Sequence, residues 1–147
     1  MAINPKLERF GVLVGEWNTV GTHRLLPGLT LHGHVTCEWI EGGAFLRMVS
    51  QAEEADIPSG MFIFGSDTAS DDVTLLYYDV RGVSRVYAAT LNGRILKFWR
   101  NAPGPGLAQR FTATFADDGS TIQFVSELSE DGTTWLNDLE QTYTRVR

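Results

Sequence analysis

The chain has 147 residues, 43% of them hydrophobic and 20% charged, with a formal net charge of −6. That size fits a single domain, residues 1–147, which can bury roughly two-thirds of its unfolded surface. The acidic balance excludes sequence-independent nucleic-acid binding, which needs clustered Lys and Arg, and no apolar run approaches the roughly 20 residues of a membrane helix.

Only one segment reads as helix. In "NPKLERFGVLVG", Asn4 is placed to cap, Pro5 to start, and Leu7, Phe10 and Val14 to form one apolar face, with Gly15 as the stop. After Gly15 the period of the pattern changes to two. Strands are expected near residues 16–24, 30–40, 44–52 and 61–66. Cys37, the only cysteine, reads as a core position in the second of these. It allows no internal disulfide, and with no signal-peptide pattern visible it fits a cytoplasmic protein. Glu38 and Arg47 face each other as a surface ion pair if Gly42-Gly43 is the turn. The acidic stretches "AEEAD" and "SDTASDD" lack the spacing of a calcium loop.

In the second half, four glycine turns define the strands. They are Arg81-Gly82, Asn92-Gly93, Asp118-Gly119 and Asp131-Gly132. Read as two-residue hairpin loops, they also set registers. Tyr78 then faces Arg85 and Leu76 faces Tyr87; Tyr87 faces Phe98 and Arg85 faces Arg100. Phe111 faces Ser126, Leu128 faces Trp135, and Phe124 faces Leu139. All four turns agree on one apolar face. About ten short antiparallel strands joined mostly by hairpins close most economically into an all-β up-and-down barrel, which leaves no edges. A packed sandwich is the competing architecture.

In a closed meander the last strand lies beside the first, and inward-facing Arg145 then falls near Trp17. A guanidinium on an indole would seal that end of the barrel. The short N-terminal helix, the Gly-x-Trp of "GEW" (Gly15–Trp17) and the arginine in "TYTRVR" resemble the calycins: lipocalins, fatty-acid-binding proteins and nitrobindin-like barrels. "EWIEGGAFLRM" also resembles uncharacterised bacterial lipocalin-like domains. The resemblance implies a cavity for a small hydrophobic molecule. It does not carry haem here, because nitrobindin-like proteins bind the iron through a late histidine and this chain has none after His34.

The expected ligand-binding set is His23, Trp39, Met48, Tyr78, Arg85, Tyr87, Phe98, Arg100, Phe111 and Trp135. Arg85 and Arg100 carry the argument, since a buried guanidinium needs an anion or several acceptors. In the functional reading they hold an acidic head group; in the plainer one they lie at the rim in water. His23, His32 and His34 invite a zinc site, but parity turns His23 inward and the other two outward. No metal or other cofactor is expected. His23 or a tyrosine acting as acid or base would make the barrel an isomerase, cyclase or hydrolase, yet no nucleophile-plus-base pair supports that. A third reading is a homodimer joined through an outward patch of Leu75, Tyr77, Val86 and Trp99. The Pro- and Gly-rich "NAPGPGLA" could act as a lid or simply connect strands.

Overall fold

A computed structural model describes residues 2–100 and 107–147. It is a closed ten-stranded antiparallel barrel preceded by one short helix. The strands are β1 (Gly15–His23), β2 (Leu31–Ile40), β3 (Phe45–Ala52), β4 (Gly60–Ser66), β5 (Val73–Asp79), β6 (Ser84–Asn92), β7 (Ile95–Arg100), β8 (Ala108–Phe115), β9 (Thr121–Ser129) and β10 (Leu136–Arg145). Each pairs with its neighbour in sequence, and β10 closes onto β1. The helix is 3-10 in type, Glu8–Leu13. Asn4 Oδ1 accepts from the Lys6 amide at 3.0 Å, so the expected capping residue does turn the chain, although the helix proper starts later.

The helix end is the closed end. Trp17 and Arg145 are register partners, and the Arg145 guanidinium carbon lies 4.1 Å from the centre of the Trp17 ring. The guanidinium also donates to three backbone carbonyls: Val14 at 2.7 Å, Val12 at 2.9 Å and Gly119 at 3.2 Å. Trp17 is fully buried and its Nε1 donates to the Leu13 carbonyl at 2.9 Å. One side chain therefore ties together the helix, the first strand and the β8–β9 loop, and satisfies carbonyls that the helix end leaves free. Gly15 makes room for this. Its φ is 135°, and a Cβ there would lie 2.4 Å from the Arg147 carbonyl oxygen and 2.7 Å from Arg145 Nη1.

The hairpin registers follow the sequence reading unevenly. β8 pairs with β9 as expected, with Phe111 opposite Ser126 and Ala113 opposite Phe124. The β6–β7 turn is built on Gly93 and Arg94, with only Gly93 at positive φ, so the pairs slide by two residues. An even slide keeps every side chain on its face, but Ala89 now opposes Phe98, and Arg85 does not oppose Arg100. The β5–β6 loop holds three residues, Val80 to Gly82, with Asp79 N bonded to Val83 O. The odd shift turns β5 over: Tyr77, not Tyr78, pairs with Arg85. Leu75 and Tyr77 consequently face inward, which dismantles the outward patch expected of Leu75, Tyr77, Val86 and Trp99; Val86 alone of the four is 61% exposed. In β10 the register shifts between Asn137 and Leu139, a bulge with Asp138 as the extra residue. Leu139, Gln141, Tyr143 and Arg145 remain inside beyond it, while Trp135, before it, does not. Glu38 and Arg47 do pair across β2 and β3.

The closed half of the barrel is filled. Leu46, Phe64, Leu75, Leu96, Phe98 and Ile122 are all buried there, around a residual void of about 30 Å³. Among the described residues no helix is long and apolar enough to cross a membrane.

Candidate functional site

The open half holds a cavity of about 430 Å³. Its lower wall is aromatic: Phe62, Tyr77, Tyr87, Phe111, Phe124 and Tyr143 all contribute. These rings pack edge to face or tilted, with centroids 4.9–5.8 Å apart for Phe62–Tyr77, Tyr87–Phe111, Phe111–Phe124 and Phe124–Tyr143. Phe98 lies behind them, stacked on Phe111 at 4.4 Å. Leu25, Leu26, Leu31, Ile57 and Pro58 complete an apolar side near the mouth.

Arg85, Tyr87 and Gln109 form the polar side. Gln109 is buried, and its Oε1 accepts from the Tyr87 hydroxyl at 2.7 Å and from Arg85 Nη1 at 3.4 Å. Burial raises the Tyr87 phenol above its ordinary value, an effect that Arg85 and Arg100 oppose. With the Gln109 oxygen taken up by these two donors, what the group still offers the cavity is donors: the rest of the Arg85 guanidinium and the Gln109 amide. Arg85 is half-buried and makes no ion pair among the described residues. Arg81, the other arginine lining the cavity, is neutralised. It donates to Asp79 Oδ2 at 2.6 Å, and Tyr77 donates to the same oxygen at 2.6 Å. These bonds hold the Asp79 carboxyl, whose side chain is fully buried, well below the usual carboxylate range. Burial, reinforced by Asp79, raises the Tyr77 phenol.

His23 and Asp138 meet at the rim. His23 Nε2 lies 3.5 Å from Asp138 Oδ1, and Arg24 Nε lies 3.6 Å from the same atom. His23 Nδ1 accepts the Leu25 amide at 3.0 Å, which places the ring proton on Nε2, toward Asp138. Neither nitrogen is then a free acceptor for a substrate proton. His32 is at the rim, next to Glu54, and His34 is on the outer surface against Asn18 and Glu16. Among the described residues no three His, Cys, Asp or Glu side chains come together as metal ligands. Burial pushes the Cys37 thiol up to about 12, as befits a core cysteine.

Of the ten residues expected around a ligand, His23, Arg85, Tyr87 and Phe111 line the cavity. Trp39, Met48 and Phe98 belong instead to the packed core. Met48 and Phe98 border the small void, and Trp39 sits beside Gly11 of the helix. Arg100, half-buried and opposite Gln109, does not reach the cavity lining. Tyr78 is outside and 42% exposed because of the β5–β6 loop. Trp135 is also outside, stacked 3.9 Å from the Arg110 guanidinium, because β10 pairs differently ahead of its bulge. Sequence reasoning missed Gln109, Phe62, Tyr77 and Asp138. Gln109 shares the parity of Phe111 and was open to discovery; Tyr77 and Asp138 depend on a loop length and a bulge that no residue type announces. The lid reading of "NAPGPGLA" falls mostly on residues 101–106, outside the described residues.

No family model matches the chain, and no curated protein does. Among solved structures, 17 chains match. One of them is the crystal structure of Rv2717c from M. tuberculosis, with 16% sequence identity and a TM-score of 0.69, covering 99% of this chain and 100% of that one. At that identity the likeness is one of fold.

Proposed function

We propose that this barrel is a calycin-type binding protein for a small hydrophobic molecule with an acidic head group. The observation that carries the reading is Arg85: a half-buried guanidinium on the cavity wall that, among the described residues, makes a 3.4 Å contact with the neutral Gln109 and no ion pair. Burying a cation without a counter-ion is costly, and a ligand carboxylate between Arg85 and the Gln109 amide removes that cost. The apolar side supplies the remaining affinity through burial of the ligand body. The alternative, acid–base catalysis by His23, is weaker because Nδ1 accepts the Leu25 amide and Nε2 faces the Asp138 carboxylate at 3.5 Å.

The test is the affinity of a compact fluorescent anionic probe, anilinonaphthalene sulfonate, for the parent and for Arg85→Leu. Loss of a charge-assisted bond of about 1.5–3 kcal/mol weakens binding roughly tenfold or more. Equal affinity in the two proteins removes the head-group reading.

A further inference from the structure

The cavity's depth and lining say more about the ligand than its charge does. An aromatic layer closes the bottom of the cavity, and beneath it Phe98, Leu96, Leu75 and Ile122 leave a void of only about 30 Å³. A nine-residue strand such as β1 rises about 30 Å along its own axis and, tilted in a barrel, about 23 Å along the barrel axis. The cavity stops short of that height, at the layer of Phe62, Phe124 and Tyr143 that separates it from the packed side chains below. An extended long-chain acid with its carboxylate on Arg85 has no shaft to enter. Its tail must fold back or leave through the mouth, and ordering a folded chain costs rotor entropy. A flat ring system has no such rotors. It can also meet ring faces and edges on Phe62, Phe111 and Phe124; Phe111 and Phe124 lie 5.7 Å apart, and Phe62 meets Phe98 edge-on at 5.9 Å, spacings that favour offset or edge contacts.

We infer that the ligand class is a compact aromatic carboxylic acid, its carboxylate toward Arg85 and Gln109 and its rings against Phe62 and Phe111, and not a long-chain fatty acid. This rests on the head-group reading above and narrows it.

The experiment is isothermal titration with 2-naphthoic acid and undecanoic acid, which are matched in carbon count. The alkyl acid exposes more apolar surface, so a merely greasy pocket ranks it first. The parent barrel is expected to bind 2-naphthoate tighter by roughly tenfold, the worth of two or three ring contacts. Phe62→Leu keeps an apolar wall but removes a ring; it should shrink that ratio by weakening naphthoate alone. Since a core-adjacent change can unsettle the fold, a second readout uses the parent only: naphthoate protons should move upfield in the bound NMR spectrum under the ring currents of the cavity wall. Equal or tighter binding of undecanoate, or unshifted naphthoate protons, overturns the aromatic inference and leaves the binding reading standing. Failure of both acids to bind, or binding unchanged by Arg85→Leu, overturns the head-group reading and takes this inference with it.

Discussion

Replacing Arg145 by Met tests the closed end of the barrel. The guanidinium donates at 2.7, 2.9 and 3.2 Å to three carbonyls and lies 4.1 Å over the Trp17 ring. A hydrogen bond to a charged donor contributes about 1.5–3 kcal/mol when buried, and a cation on an indole about 0.5–2 kcal/mol. Arg145 is half-buried, so solvent screens part of this, and the methionine regains some apolar contact with the ring. The net cost should be about 3 kcal/mol. In a chain of this length that lowers the melting temperature by roughly 6–12 °C. Thermal melts followed by circular dichroism give the single-variant value. A double-mutant cycle with Trp17→Leu isolates the stacking contribution, expected at about 0.5–2 kcal/mol. If Arg145→Met melts within about 0.5 kcal/mol of the parent, the closure argument is wrong.

Gly15→Ala should cost about 1–3 kcal/mol from backbone strain alone, and the cost should fall in the Arg145→Met background, where Nη1 no longer occupies the space beside it; urea titrations of the single and double variants check this. Asp79→Asn tests the Tyr77–Asp79–Arg81 cluster through its pH dependence. The folded carboxyl is held below its unfolded value of about 4, so its contribution is complete above that pH and is lost as pH falls through the lower folded value. The variant should be clearly less stable than the parent at neutral pH, with a gap that narrows below about pH 4; a gap that stays constant in melts across that range contradicts the assignment.

The barrel was legible because alternation of apolar residues and glycine turns are local signals that ten strands repeat. The pairing of Trp17 with Arg145 was legible for a related reason: closure forces the two ends of the chain together, and parity then places both side chains inside. Loop length was not legible. A glycine marks where φ turns positive, but Gly82 serves a three-residue loop, Gly93 opens a two-residue turn, and Gly119 lies in a longer loop that preserves the expected register. An odd error inverted β5 and moved Tyr78 out and Tyr77 in, whereas the even error at β6–β7 left Phe98 facing inward. Depth was hidden too. A period of two tells inside from outside but not top from bottom, so Met48 and Phe98 were grouped with a cavity that lies above them. Asp138 reaches the rim through a bulge, which has no reliable signature in residue type.

The most direct measurement is a crystal structure of the protein grown with 2-naphthoate. The account expects the carboxylate within hydrogen-bonding distance of Arg85 and Gln109, the rings against Phe62 and Phe111, and the closed half of the barrel unchanged. A ligand on the outer surface, or one inside with its carboxylate turned away from Arg85 toward the mouth, contradicts it.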